Sequence, residues 1–215
     1  MDISYFIFLS SGLFLGWSLG ANDAANVFGT AVGTKMVRFK TAAAIASLFV
    51  IIGAVFAGAG ASRTLDELGS INTLPGAFMV ALSAALAVYM MVNSSIPVST
   101  TQAIVGSIVG WNFYSGHKTD MGILTQIIST WIICPILAGC IAISLYLLIK
   151  CFIKRSKIHL IRQDLYTRLG LIAACAFGAF ALGANNIANV MGVFVESAPF
   201  HPITISRITF NSTQI

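Results

Sequence analysis

The chain has 215 residues, of which 57% are hydrophobic and 9% are charged, and its mean hydropathy is +0.89. Soluble domains carry about 25% charged residues, so this composition excludes a soluble domain and predicts an integral membrane protein. The net charge of +5 does not indicate nucleic-acid binding, because the basic residues fall in loops between apolar segments.

A membrane helix needs about 20 mostly apolar residues, and six segments approach or exceed that length. In chain order they cover residues 3–19, 41–61, 75–92, 97–113, 121–149 and 169–184. These segments predict an all-α membrane protein, a polytopic helical bundle with broken or re-entrant helices. The stretch 75–113 is compatible with two full spans or with a re-entrant hairpin, because both return the chain to the same side.

Charges between the segments predict the orientation. Basic residues cluster after the first segment, at Lys35, Arg38 and Lys40, and again in the loop 150–168. Because positively charged loops stay in the cytoplasm, both regions are predicted to be cytoplasmic and the N-terminus external.

The first segment ends in a polar motif, GANDAANVFGT, at residues 20–30. Its glycines and polar residues predict a helix break at membrane depth. An ionisable residue there indicates a functional site, and Asn22, Asp23 and Asn26 offer the hard oxygen ligands that a small cation needs. In the simpler alternative, Asp23 caps a half-helix that begins near Ala24, a role compatible with ion binding.

A second polar break, NSSIPVSTTQAIVG, covers residues 93–106. Pro97 cannot continue a helix, and Ser99 with Gln102 has the spacing of a capping box, so a helix is predicted to begin here. A helix N-terminus favours anions, and the hydroxyls at 99–101 add donors. The alternative is a capped helix whose hydroxyls bond only the backbone.

Arg and Lys are absent from this break and from the apolar segments. An anion bound there would therefore need a co-bound cation as its positive partner, and Asp23 could hold that cation. These residues favour cation-coupled anion transport.

The polar motif recurs. Residues 183–195 read GANNIANVMGVFV, and the first ten positions share seven identities with residues 20–29. The predicted orientation makes the two copies inverted, a pattern typical of secondary transporters whose site lies at the repeat interface. The predicted organisation is a first repeat (1–149), a basic cytoplasmic loop (150–168), the start of a second inverted repeat (169–195) and an atypical tail (196–215).

The motifs GANDAANVFGTAVGT and PVSTTQAIVG resemble the signatures of the inorganic phosphate transporter (PiT) family, the sodium- or proton-coupled phosphate permeases. The resemblance covers residues 1 to about 197. It implies cation-coupled phosphate transport across the cytoplasmic (inner) membrane, no enzymatic activity, no cofactor beyond the coupling ion, and a homodimer. The candidate cation ligands, including a sodium site at Asp23, are Asn22, Asp23, Asn26, Asn186 and Asn189; the candidate phosphate ligands are Ser99, Thr100, Thr101 and Gln102.

Two departures from the family pattern keep alternatives open. Asn186 stands where many members have Asp, which leaves open whether sodium or a proton is the coupling ion, and sulfate-transporting relatives make sulfate the alternative substrate. The 215 residues contain no second PVSTT motif, and the tail after Glu196 loses its apolar character. The chain is therefore expected to be truncated after the start of its second repeat, and the alternative function is a non-transporting remnant that needs a companion chain.

Overall fold

The computed structural model describes residues 3–58, 64–65, 68–69, 71, 73–155, 159–194, 197, 203–205 and 208–210. Within these residues the chain forms six long helices, a 3-10 turn at Gly192–Phe194, and a small antiparallel hairpin of β1 (Ile203–Ile205) and β2 (Ile208–Phe210). The helices are α1 (Ile3–Gly33), α2 (Phe39–Ala57), α3 (Leu74–Asn93), α4 (Thr100–Ser115), α5 (Met121–Arg155) and α6 (Leu160–Met191). The predicted all-α membrane fold is confirmed.

Four of the described helices are long and apolar enough to cross a membrane: α2, α3, α5, and α6 with its 3-10 extension. Helix α5 has 35 residues, and only Ile127 among them is buried, so most of its large apolar side chains face outward. In water such a surface would drive aggregation, whereas in a bilayer it meets lipid chains.

Helix α1 runs without interruption through the polar motif. The helix break predicted within residues 20–30 is therefore wrong, and Asp23 does not cap a half-helix that begins near Ala24. A glycine costs a helix only about 1 kcal/mol, whereas an unsatisfied backbone group in lipid costs several. The medium therefore overrides the local propensity of Gly20 and Gly29. Helix α6 likewise continues through the polar residues of the second copy as far as Met191, where the 3-10 turn Gly192–Phe194 follows.

The second predicted break is confirmed. Helix α3 ends at Asn93, and α4 begins after Ser99, whose side chain accepts a hydrogen bond from the backbone N–H of Gln102 at 3.3 Å. Helix α4 has 16 residues. Its length of about 24 Å is too short to cross the roughly 30 Å hydrocarbon core alone.

Helix α1 lies between two apolar cores. One joins α1 to α3 and α4 around Leu15 and Ile104, and the other joins α1 to α2 and α6 around Phe28 and Ala179. Asp23 lies between Leu19 of the first core and Phe28 of the second. The polar motif therefore sits where the two cores meet.

Helices α1 and α6 run antiparallel. A Cβ added to Gly12 would lie 3.1 Å from Phe194 Cε2, and one added to Gly178 would lie 3.2 Å from Val27 Cγ1. Residue numbers thus rise along α1 as they fall along α6. The two copies of the motif have opposite directions, as the inverted repeat requires.

Candidate functional site

The buried carboxyl group of Asp23 is the centre of a hydrogen-bond network. Its side chain is 8% exposed. Oδ1 accepts a hydrogen bond from Asn22 Nδ2 at 2.8 Å, and Oδ2 accepts one from Asn186 Nδ2 at 2.9 Å. Asn186 occupies the position in the second motif that corresponds to Asp23 in the first, so equivalent residues of the two copies bond each other.

The same network reaches the break before α4. Asn22 Nδ2 also donates to the backbone carbonyl oxygen of Val98 at 2.9 Å. Val98 directly precedes the N-cap Ser99. The carboxyl group of Asp23 is therefore tied, through the side chain of Asn22, to the N-terminus of α4, and Asn22 and Val98 are 76 positions apart in the sequence.

A second contact joins α6 to the first turn of α4. Asn189 Nδ2 lies 3.4 Å from Thr100 Oγ1 and 3.3 Å from Thr101 Oγ1, and donates to both. Asn189 is 1% exposed and Thr100 is 6% exposed. The hydroxyls of the second polar break are thus held by the second copy of the repeated motif.

The oxygen atoms around Asp23 suit a small cation. Among the described residues, the buried Asn186 Oδ1 atom has no hydrogen-bond partner. The Asn186 Oδ1 atom, the Asp23 carboxyl oxygens and the Val98 carbonyl oxygen all belong to one hydrogen-bonded group of residues, and all are hard oxygen atoms of the kind that alkali and alkaline-earth ions prefer. A buried acceptor without a donor costs free energy, and a bound cation would remove that cost.

A cavity of about 190 Å³ adjoins this network. It lies between α4, α5 and α6, and its polar lining comes from Thr64, Thr101, Thr130, Trp131, Asn185 and Asn189. No Arg or Lys is among the described residues that line it. The cavity offers hydroxyl and amide donors to an anion without a formal positive charge.

Six predicted ligands meet in this arrangement: Asn22, Asp23, Thr100, Thr101, Asn186 and Asn189. The others do not join them through their side chains. Ser99 is exposed and its hydroxyl caps α4, while the side chain of Gln102 is exposed and only its backbone N–H bonds Ser99. Asn26 is exposed, and its side chain makes no hydrogen bond within the described part of the chain.

The sequence did not single out Val98, Thr130 or Trp131. A backbone carbonyl carries no side-chain signal, although its position just before the N-cap leaves it outside the helical ladder. Thr130 does stand out as a polar residue in an apolar segment, but its hydroxyl bonds the carbonyl oxygen of Ile127 at 2.6 Å. That local bond is the ordinary role of a membrane threonine, so sequence alone could not assign it to a site.

The fold and the site define an integral, multi-pass membrane protein in which two antiparallel repeat motifs meet at a buried carboxyl group. The sequence profile described as the Phosphate transporter family matches residues 19–164. The chain belongs to that family.

Related proteins agree with this assignment. A protein named "Putative phosphate permease" from Methanocaldococcus jannaschii is 30% identical over 197 residues, which cover 92% of this chain and 62% of that protein. The "Sodium-dependent phosphate transporter 1" of Mus musculus is 34% identical over 147 residues, which cover 63% of this chain and 22% of that protein. The chain thus spans less than two thirds of the length of these relatives.

A solved structure titled "The sodium-dependent phosphate transporter" matches with a TM-score of 0.72 at 20% identity. The match covers 98% of this chain and 72% of that one. At this identity the similarity shows the fold, which is that of a known transporter structure.

Proposed function

We propose that this chain binds inorganic phosphate together with a sodium ion, and takes part in their coupled transport across the cytoplasmic membrane. The observation that carries the proposal is the hydrogen bond between Asp23 and Asn186, 163 residues apart, beside the N-terminus of α4. This hydrogen bond brings together a carboxyl group and an amide oxygen that has no described hydrogen-bond partner, beside the N-terminus of a helix.

Asp23 is the proposed cation ligand, with Asn186 Oδ1 and the Val98 carbonyl oxygen as neutral partners. A buried carboxyl group in a membrane protein is costly unless it has a partner, and its described partners are two neutral amides. A proton would satisfy Asp23 alone, whereas sodium would also engage the unpaired Asn186 oxygen. This difference favours sodium over a proton.

The N-terminal turn of α4 is the proposed phosphate ligand. It offers free backbone N–H groups, the partial positive charge of a helix N-terminus, and the hydroxyls of Thr100 and Thr101. Asn189 positions both hydroxyls. Because no basic side chain is present in the described lining, the sodium ion supplies the charge that stabilises the bound anion.

Transport further requires that access to the site alternates between the two sides, which inverted repeats allow by moving one repeat against the other. We interpret the chain as the first repeat and the beginning of the second. We propose that a second copy or a companion chain provides the rest of the transport path.

The test is uptake of labelled phosphate into proteoliposomes that contain this chain, with and without an inward sodium gradient. We expect uptake that depends on sodium and that Asp23→Asn abolishes. The matched control is Asp164→Asn, which makes the same change at an exposed residue paired with Arg168. Excess unlabelled sulfate, added as competitor, should leave the uptake unchanged if phosphate is the substrate.

Equilibrium binding of labelled phosphate in detergent separates the two parts of the proposal. Sodium-dependent binding without uptake would retain the site but contradict transport by this chain alone. The proposed site would be contradicted if neither binding nor uptake depended on sodium. It would also be contradicted if both persisted in Asp23→Asn.

A further inference from the structure

A second cavity lies far along the chain from the Asp23 network, where α5 and α6 meet. Its volume is about 460 Å³, and its walls are apolar, with Phe152 and Ile153 of α5 facing Tyr166, Gly170 and Leu171 of α6. On α6 the lining residues recur at intervals of three and four, so one helix face forms that wall. We call this cavity the α5–α6 groove.

The groove lies at the end of a membrane span. Both α5 and α6 are long and apolar enough to cross a bilayer, and the groove residues Phe152 and Tyr166 lie near the end of α5 and the start of α6. The side chains around the groove are strongly exposed, including Phe152 at 67% and Tyr166 at 57%. In a membrane these groups face the boundary between acyl chains and headgroups.

Basic residues flank the groove residues in the sequence. Residues 150–168 contain six Lys or Arg and one acid, Asp164, which already pairs with Arg168 at 3.3 Å. Arg155 follows the groove residue Phe152 by three positions, and Arg162 precedes Tyr166 by four, so each is a surface neighbour of a groove residue. Neither Arg155 nor Arg162 has an acidic partner among the described residues.

We propose that the α5–α6 groove binds an anionic phospholipid, with an acyl chain along the apolar wall and the phosphate headgroup between Arg155 and Arg162. Basic pockets at the cytoplasmic ends of membrane helices recognise anionic headgroups through this combination of charge and apolar surface. Gln163 and Thr167, which also line the groove, add hydrogen-bonding groups at the headgroup end. The proposal is independent of the transport activity proposed above.

Charge complementarity favours an anionic lipid over a second copy of the chain as the occupant of the groove. A symmetric dimer formed through the groove would bring two identical basic clusters together, because both partners present the same surface. Like charges at that distance oppose association, whereas an anionic lipid neutralises them.

Native mass spectrometry of the detergent-solubilised chain tests the proposal. The probes are phosphatidylglycerol and phosphatidylcholine with identical acyl chains, and we expect retention of the first in preference to the second. Arg155→Gln with Arg162→Gln should lower that preference by roughly fivefold for each charge removed. The matched control, Arg38→Gln with Lys40→Gln, removes two charges at the start of α2 and should leave the preference unchanged.

Gly170→Leu tests the groove itself. A Cβ at Gly170 meets no atom within 4 Å, so the larger side chain fills the groove without a clash. We expect Gly170→Leu to reduce lipid retention. Gly139→Leu, at an open position on the other helix, α5, should not reduce it. Circular dichroism verifies that both variants keep their helical content.

Several results would overturn the proposal. Equal retention of the two lipids by the unmodified chain would remove the role of charge, and retention unaffected by Gly170→Leu would place the lipid elsewhere. Displacement by excess inorganic phosphate would indicate a site for the free anion. A dimer lost in Gly170→Leu, with lipid retention unchanged, would assign the groove to a second copy.

Discussion

At the scale of single residues, the pairing of Asp23 with Asn186 determines how the site holds charge. The two side chains hydrogen bond at 2.9 Å, and they occupy equivalent positions in the two motifs. This pair contains a single carboxyl group, and one monovalent cation is enough to balance its charge. An Asp at the position of Asn186 would therefore change how strongly the pair depends on a cation.

Asn186→Asp should make the stability of the chain depend more strongly on sodium. Two carboxyl groups at hydrogen-bonding distance repel each other when both are charged, and a bound cation relieves that repulsion. We expect destabilisation by about 1–3 kcal/mol in choline chloride, largely recovered in sodium chloride, because a ligand stabilises the state that binds it. Thermal unfolding in the two salts measures this difference.

The control for this prediction is Asn93→Asp, the same substitution at an exposed residue at the end of α3 that takes no part in the described site. Its unfolding temperature should differ little between the two salts. An Asn186→Asp variant equally stable in sodium and choline would contradict cation binding at the pair.

The two copies also offer a matched comparison between Asn189 and Asn26. Asn189 is buried and bonds Thr100 and Thr101, whereas the equivalent Asn26 is exposed. Asn189→Ala should destabilise the chain by about 1–3 kcal/mol, because it leaves the buried hydroxyl of Thr100 and the partly buried hydroxyl of Thr101 without their donor. Asn26→Ala should stay within about 0.5 kcal/mol. Urea unfolding in detergent measures both values, and equal losses would contradict the assigned contacts.

At the scale of helices, two glycines set the distance between α2 and α6. A Cβ on Gly53 would overlap the backbone carbonyl oxygen of Phe180, and one on Gly183 would overlap that of Val50. Backbone atoms cannot move aside as a flexible side chain can, so the helices would have to separate. Since Asn186 lies on α6 one turn after Gly183, this separation would also displace it from Asp23.

Gly53→Ala and Gly183→Ala should each destabilise the chain by about 1–3 kcal/mol, although alanine favours a helix more than glycine does. Gly139→Ala on α5 is the control: its Cβ meets no atom within 4 Å, so the change should be neutral or stabilising. Thermal unfolding in detergent compares the three. Stabilisation by Gly183→Ala would mean that the two helices lie farther apart than described.

The sequence predicted the helices and the second polar break because their causes are local. Apolar length defines α2 and α5, and Pro97 with the Ser99 cap defines the start of α4. The predicted break at Gly20 failed because helix propensity in water was applied to a backbone in lipid, where continuous hydrogen bonding is worth more. The bond from Asn22 to the Val98 carbonyl was beyond sequence reasoning, since it depends on how α1 packs against a distant segment.

At the scale of the whole molecule, the repeat explains why Asn26 has no described partner. Asp23 meets its equivalent Asn186, and Asn189 meets the hydroxyls of the PVSTT segment. A two-fold relation between the repeats would place Asn26 against a second PVSTT segment, which the 215 residues do not contain. Among the described residues, Asn189 thus has hydrogen-bond partners in the site, whereas the side chain of Asn26 has none.

The exposed face of α1 around Asn26 predicts where the chain associates with another protein chain. Apolar helices gain little from meeting each other in lipid, so the exposed face of α5 needs no protein partner, whereas polar and small residues hold membrane helices together. Asn26, Thr30 and Gly33 share one face of α1 and are exposed, and a Cβ at Gly33 would meet no atom within 4 Å. We expect a second copy to cover this face in bilayers, because an amide exposed to hydrocarbon is costly.

Thiol labelling measures that coverage. With the four native cysteines replaced by serine, Asn26→Cys should react with a membrane-permeant maleimide more slowly as the ratio of protein to lipid rises. Ile143→Cys, on the exposed face of α5, should react at a constant rate, because lipid rather than protein contacts it. A density-independent rate at Asn26→Cys would exclude self-association through α1 and would leave a companion chain as the partner that completes the site.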